Sequence, residues 1–191
     1  MGSQEIDLEL VRLAQQGDEK AFGVLVEKYQ ARIIKLVRPY ARDYAEAADI
    51  AQDTFIKTYK ALKNFRGESQ FYTWLYRIAL NTAKNHGYAD SRRPIRYESE
   101  VASEKTAAML LEEVDVSTPE QALLTEEVRR TIVETIESLP EDLRTAILLR
   151  EIEGLSYTDI ARIMDCPVGT VRSRIFRARE AIDKKLKFLS N

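Results

Sequence analysis

The chain is nearly empty of the side chains from which metal sites and disulfides are built. Among its 191 residues there is one cysteine and one histidine. A lone cysteine excludes an internal disulfide, and a lone imidazole leaves no ligand cluster for zinc. Cys166 reads as a small core residue rather than a redox sensor, because free cysteine usually behaves as a buried hydrophobe. Paired catalytic carboxylates, a Ser/His/Asp set and a phosphate-cradling glycine loop are all missing, and His86 falls at the frayed end of a helix. The sequence therefore predicts a protein that is no enzyme, holds no metal or other cofactor and takes no small-molecule substrate. Strand-period alternation and hairpin turns are missing too. No apolar stretch approaches the roughly 18 residues of a membrane span, and no signal peptide is visible. The expectation is an all-α protein of the cytoplasm.

An excess of charge of one sign is also lacking, since the formal net charge is only -2. Contact with nucleic acid must then come from charge segregated along the chain. Residues 168–187 hold seven Lys/Arg against two acids, whereas residues 97–120 hold seven acids against one lysine.

The basic stretch belongs to a helix-turn-helix pattern running from Ser156 to Glu180. Ser156 can cap a first helix, with Asp159 in the place of a capping-box acid. Ile160, Ala161 and Met164 make its apolar face, and Pro167 marks the turn. Val168, Val171, Ile175, Ala178 and Ile182 recur at steps of three and four residues, the period of a second amphipathic helix. Its outward face carries Thr170, Arg172, Ser173, Arg174, Phe176, Arg177 and Arg179. An arginine fork can grip guanine O6 and N7 in the major groove, Ser and Thr reach phosphates or base edges, and Phe176 could touch a thymine methyl. Lys184, Lys185 and Lys187 extend the strip toward phosphates. The bland alternative is a solvated basic face, but four arginines between 172 and 179 after such a turn favour DNA.

Upstream, the spacing predicts a helix over 7–16 stopped by Gly17, then a longer one from 19 to about 42, capped by Asp18. Pro39 should kink or end it. A third helix is expected from about 45 to 62, with Ile50, Phe55, Ile56, Tyr59 and Leu62 apolar and Asp49, Gln52, Asp53, Lys57 and Lys60 on the other side. Residues 64–69 read as a turn. A fourth helix follows from 70 to about 88, with Phe71, Trp74, Leu75, Ile78 and Thr82 as the core stripe and Tyr72, Tyr76, Arg77, Asn81, Lys84 and Asn85 outward. The acidic stretch reads as a linker, with a short helix around 107–111. Thr118-Pro119-Glu120-Gln121 starts a helix. Helices are then expected over about 119–137 and 140–153, with Ser138 or Leu139 at the second cap, Pro140 in its first turn, and Gly154 as its stop.

The blocks Asp49 to Phe55, Phe65 to Lys84 and Ser138 to Arg144, followed by the helix-turn-helix, resemble the bacterial extracytoplasmic-function sigma factors, of the envelope-stress sigma-E type. That resemblance implies two helical domains, at 1–92 and 119–191, on an acidic tether at 93–118. It implies a protein that binds RNA polymerase core and directs it to promoters, with the helix at 168–181 reading the duplex upstream (-35) element. The downstream (-10) element must be melted, and unstacked bases need aromatic faces and positive charge. The resemblance assigns this role to Lys57, Phe65, Arg66, Ser69, Tyr72, Trp74, Asn81 and Lys84. For Trp74 a packed core position and a DNA contact both stay open. Asp49, Gln52 and Asp53 resemble a surface for the clamp helices of the largest polymerase subunit, against the alternative of a solvated helix face. Further implied partners are the flap of the second-largest subunit and an anti-sigma factor linked to the membrane. A regulator of the LuxR-like kind shares the helix-turn-helix but carries a receiver or sensor domain ahead of it.

Overall fold

The computed structural model describes residues 3–90 and 119–189. The expected linker helix around 107–111, the acids of the tether and Thr118 lie outside the described residues. The chain divides into two compact units, Met1–Arg96 and Tyr97–Asn191. All regular structure among the described residues is helical. None of these helices is long and apolar enough to cross a membrane.

In the first unit, α1 (Ser3–Gln15) ends where Gly17 turns left-handed at φ 100°. Asp18 then caps α2 (Glu19–Val37), its carboxylate accepting from the Lys20 and Ala21 amides at 2.9 and 3.2 Å. The α-helix stops at Val37, and Arg38–Tyr40 tighten into a 3-10 turn around Pro39, which cannot donate to the ladder. Asp43 caps α3 (Tyr44–Ala61) through the Glu46 amide, and a 3-10 turn at Leu62–Asn64 leads into the loop before α4 (Phe71–Asp90). Leu25, Ile33, Val37, Ile50 and Leu75 are fully buried, and Ala47, Ala51, Ala79 and Ala83 let α3 and α4 approach closely. Buried Thr54 and Thr58 satisfy their hydroxyls by donating to the carbonyls of Ile50 and Thr54, each at 2.7 Å.

Two assignments of side are corrected. Tyr76, expected outward, is 1 % exposed. Because α4 packs against α3, α2 and α1, its buried surface is wider than one helical stripe. Ile56 and Tyr59, expected inward, are 46 % and 42 % exposed. The core side of α3 runs instead through Ala47, Ile50, Ala51, Thr54, Phe55 and Thr58.

In the second unit, α5 (Pro119–Ser138), α6 (Glu141–Glu151) and α7 (Tyr157–Met164) each pack on the long α8 (Val168–Leu189). Val133, Ala146, Leu149, Ile160, Val171, Ile175 and Ala178 form the centre of the core. Pro140 is not inside the first turn of α6 as expected. It occupies the cap itself, its carbonyl accepting from the Leu143 and Arg144 amides at 2.9 and 3.0 Å. Gly154 ends the following turn at φ 64°.

Candidate nucleic-acid interface

The local chemistry of the helix-turn-helix fixes what α8 can present. Ser156 Oγ accepts from the Asp159 amide at 3.1 Å and donates to the Asp159 carboxylate at 2.6 Å, which sets the start of α7. α7 buries Ile160, Ala161 and Ile163, whereas Met164 is only half-buried. It closes on Asp165, the one non-glycine residue with positive φ among those described, at 52°. Asp tolerates this left-handed conformation better than most residues, and Cys166 then donates its amide to the Ala161 carbonyl. Pro167 follows, and its carbonyl accepts from Thr170 and Val171 at the head of α8.

With Val171, Ile175 and Ala178 buried, the opposite face of α8 turns to solvent. Arg172, Ser173, Phe176 and Arg177 are exposed there, Phe176 by 67 %, while Thr170 is half-buried. Ser173 Oγ donates to the Thr170 carbonyl at 2.9 Å. The Arg172 guanidinium lies 5.9 Å from the Tyr157 ring, with Arg150 over the same ring at 5.0 Å. Arg150 also donates to the Leu155 carbonyl at 2.7 Å, so the tyrosine is steadied from one side.

Arg174 departs from the expected outward face. It bonds Asp142 of α6 and reaches Cys166 Sγ at 3.3 Å, because α6 places a carboxylate beside it. Arg179 is likewise engaged, by Glu151 at 2.5 and 3.2 Å. Cys166 is half-buried at this contact rather than sealed in the core.

In the first unit, the loop ahead of α4 and the start of α4 bring aromatic and basic groups together. Phe65 lies 4.9 Å from Trp74 and 6.1 Å from Phe71, ring centre to ring centre. Phe71 is buried, and Phe65 and Trp74 are half-buried, so their cluster keeps an edge at the surface. Gly67 turns the loop at φ 73°. Arg66 is exposed 4.0 Å from Glu68, while Ser69 and Gln70 are half-buried. The Oε1 of Gln70 is buried with no partner among the described residues. Along α4, Tyr72 packs 6.1 Å from Tyr76, Asn81 is exposed and Lys84 half-buried. Lys57 of α3 comes to the same side, donating to Thr82 Oγ1 at 3.3 Å. Gln15 donates from Nε2 to the carbonyls of Leu62 and Phe65, each at 2.9 Å.

Asp49, Gln52 and Asp53 lie on the outer side of α3, the first two exposed. Asp53 is paired with His86 Nε2 of α4 at 3.0 Å, so the histidine read as sitting at a frayed end has a partner. Sequence reasoning missed Tyr157, and also Gln15, His86 and Asp142, whose partners lie 32 or more residues away along the chain.

Residues 25–93 match the family description Sigma-70 region 2, and residues 129–182 match Sigma-70, region 4. The RNA polymerase sigma-H factor of Pseudomonas aeruginosa is 56 % identical over 189 residues, covering 98 % of this chain and 97 % of that protein. The ECF RNA polymerase sigma-E factor of Escherichia coli K12 is 52 % identical over 187 residues, with 98 % and 97 % covered. Among solved structures, CnrH in complex with the cytosolic domain of CnrY superposes with a TM-score of 0.68 at 25 % identity, covering 95 % of this chain and 97 % of CnrH. The chain belongs to the extracytoplasmic-function sigma factors, the transcription initiation factors that bring RNA polymerase to its promoters through regions 2 and 4.

Proposed function

We propose that this chain reads its promoter in two physical forms, duplex upstream and single strand downstream, with one domain for each. Residues 119–191 are the upstream reader. Arg172, Ser173, Phe176 and Arg177 meet base edges of the -35 element in the major groove, and Thr170 meets its backbone. Arg174 takes a different task from the one its sequence position suggested, holding α8 on α6 through Asp142. Residues 1–92 are the downstream reader. Phe65, Arg66 and Ser69 of the loop receive an unstacked base, flanked by Tyr72, Trp74, Asn81, Lys84 and Lys57.

Asp49, Gln52 and Asp53 dock on the clamp helices of the largest polymerase subunit, because carboxylates suit a basic protein partner and repel phosphate. The 119–191 domain meets the flap of the second-largest subunit. The tether at 93–118 threads toward the RNA exit path, its acids drawn to a positive channel. The chain performs no reaction itself. It works in the cytoplasm, held at the inner membrane face by a membrane-linked anti-sigma factor until an envelope stress releases it. The complex of CnrH with the cytosolic domain of CnrY supports such a protein partner.

The observation that carries this reading is the face of α8, where an exposed Phe176 stands between exposed Arg172 and Arg177. Transcription from a short promoter template by polymerase core, with and without the full chain, tests it. A start that depends on both core and the upstream sequence, with protection over that element lost in an Arg172→Ala, Arg177→Ala double variant, is the expected result. Tight binding to duplex by the chain alone, with core unaffected, would overturn it.

A further inference from the structure

The loop that begins at Phe65 is not held by its own turn alone. Gln15, the last residue of α1, donates from one nitrogen to two carbonyls, those of Leu62 and Phe65, at 2.9 Å each. The Phe65 amide donates to the same Leu62 carbonyl at 3.0 Å, so three hydrogen bonds converge where the loop starts. α1 is in turn pinned to α2. Asp7, only 4 % exposed, accepts from Lys28 Nζ and Tyr29 Oη at 2.5 Å. Tyr29 lies 5.8 Å from Phe71, which lies 6.1 Å from Phe65. α1 therefore reaches the loop twice, through the Gln15 side chain on the loop's carbonyls and through a file of rings from Asp7. All of α1 lies ahead of the segment that matches Sigma-70 region 2, which begins at residue 25.

We propose that Gln15 is a positioning residue for the single-strand reader, holding the loop in its base-receiving shape before DNA arrives; this rests on the assignment of the loop to single-strand contact made above. A glutamine amide suits the task because both N–H groups of one nitrogen can face two carbonyls without bringing a charge beside the DNA. Without it the Phe65 carbonyl turns to water, the Leu62 carbonyl keeps only the Phe65 amide, and the loop is free to move about Gly67. Affinity for a single strand then falls in proportion to the fraction of molecules whose loop is correctly shaped.

The test uses holoenzyme assembled from polymerase core and full-length variants. Gln15→Met keeps the side-chain length and removes both donors. Gln15→Glu keeps the shape but offers only acceptors. Binding is measured to single-stranded oligonucleotides carrying the downstream element, with each base in turn at the captured position. Both variants should bind roughly tenfold or more weakly, two net hydrogen bonds being worth about that factor. Discrimination among bases at that position should fall with it, while core binding and duplex upstream binding hold. Wild-type affinity and discrimination in both variants would sink the proposal. If both variants instead lose helicity, hydrogen exchange of the wild-type chain decides: a protected Phe65 amide supports the brace, and exchange as fast as in an unstructured peptide overturns it. Ser69→Ala and Asn81→Ala run alongside. If these weaken single-strand binding and the Gln15 variants do not, the brace alone fails; if none of them does, the loop assignment fails and the brace with it.

Discussion

Arg177 and Tyr29 mark two ways in which single residues matter here, one proposed to meet a partner and one holding the fold. Arg177 is exposed and makes no ion pair among the described residues, so its guanidinium is available to a base edge. Arg177→Ala should cost about 1–3 kcal/mol on the matched upstream duplex and relax specificity at one base pair. A panel of single-substituted duplexes checks this, since an equal loss on every sequence would mark a phosphate contact. Tyr29 is buried, and burial first, then its hydrogen bond to Asp7, hold its hydroxyl far above the ordinary tyrosine value. The folded value lies above the unfolded one, so this stabilisation is complete below about pH 10 and is lost progressively as pH climbs toward the folded value. Thermal midpoints should therefore drop in strongly alkaline buffer, and Tyr29→Phe should remove that part of the slope while costing about 1–3 kcal/mol near neutral pH. A variant whose alkaline slope matches wild type would refute the assignment. The outward residues of α8 were legible because helical period alone separates them from Val171, Ile175 and Ala178. The partners of Arg174 and Gln15 were not, because Asp142 is 32 residues away and Phe65 is 50. No local pattern encodes such meetings.

Helix ends were legible at four local caps, although the Asp43 cap of α3 was not read. Gly17, Asp18, Gly154 and Ser156 all act where the sequence places them. Pro39 also ends its helix as its ring requires. The errors of side have a common origin in tertiary packing. A helix with neighbours on several sides, such as α4, buries more than one stripe, which is why Tyr76 went to the wrong face. The turn inside the helix-turn-helix holds a less visible feature, Asp165 in the left-handed region at φ 52°. Since an L-residue with a Cβ is strained there by about 1–2 kcal/mol, Asp165→Ala should be less stable than Asp165→Gly by about that amount. Comparing these two variants isolates the backbone, because both remove the aspartate side chain. Equal thermal midpoints for the pair would mean that the turn relaxes out of this conformation.

Taken as a whole, the chain separates its charge rather than accumulating it. A formal net charge of -2 gives no long-range attraction to DNA, so the proposed upstream reading places phosphate binding on segregated charge such as the basic end of α8. The sequence conveyed this readily, since composition along the chain needs no contact information. It conveyed the two helical domains for the same reason, through their apolar periods on either side of an acidic stretch. Lys184 and Lys185, exposed near the end of α8, are the groups to question at this scale. Each phosphate neutralised releases counterions and adds about 0.9 to the slope of log affinity against log salt. Lys184→Ala should therefore reduce that slope by roughly 1 and weaken binding evenly across upstream sequences. Titrating holoenzyme against matched and mismatched duplexes at several salt concentrations separates this from the Arg177 effect. An unchanged slope with altered base preference would move Lys184 into the groove, and the reading face of α8 would then extend a full turn beyond Arg179.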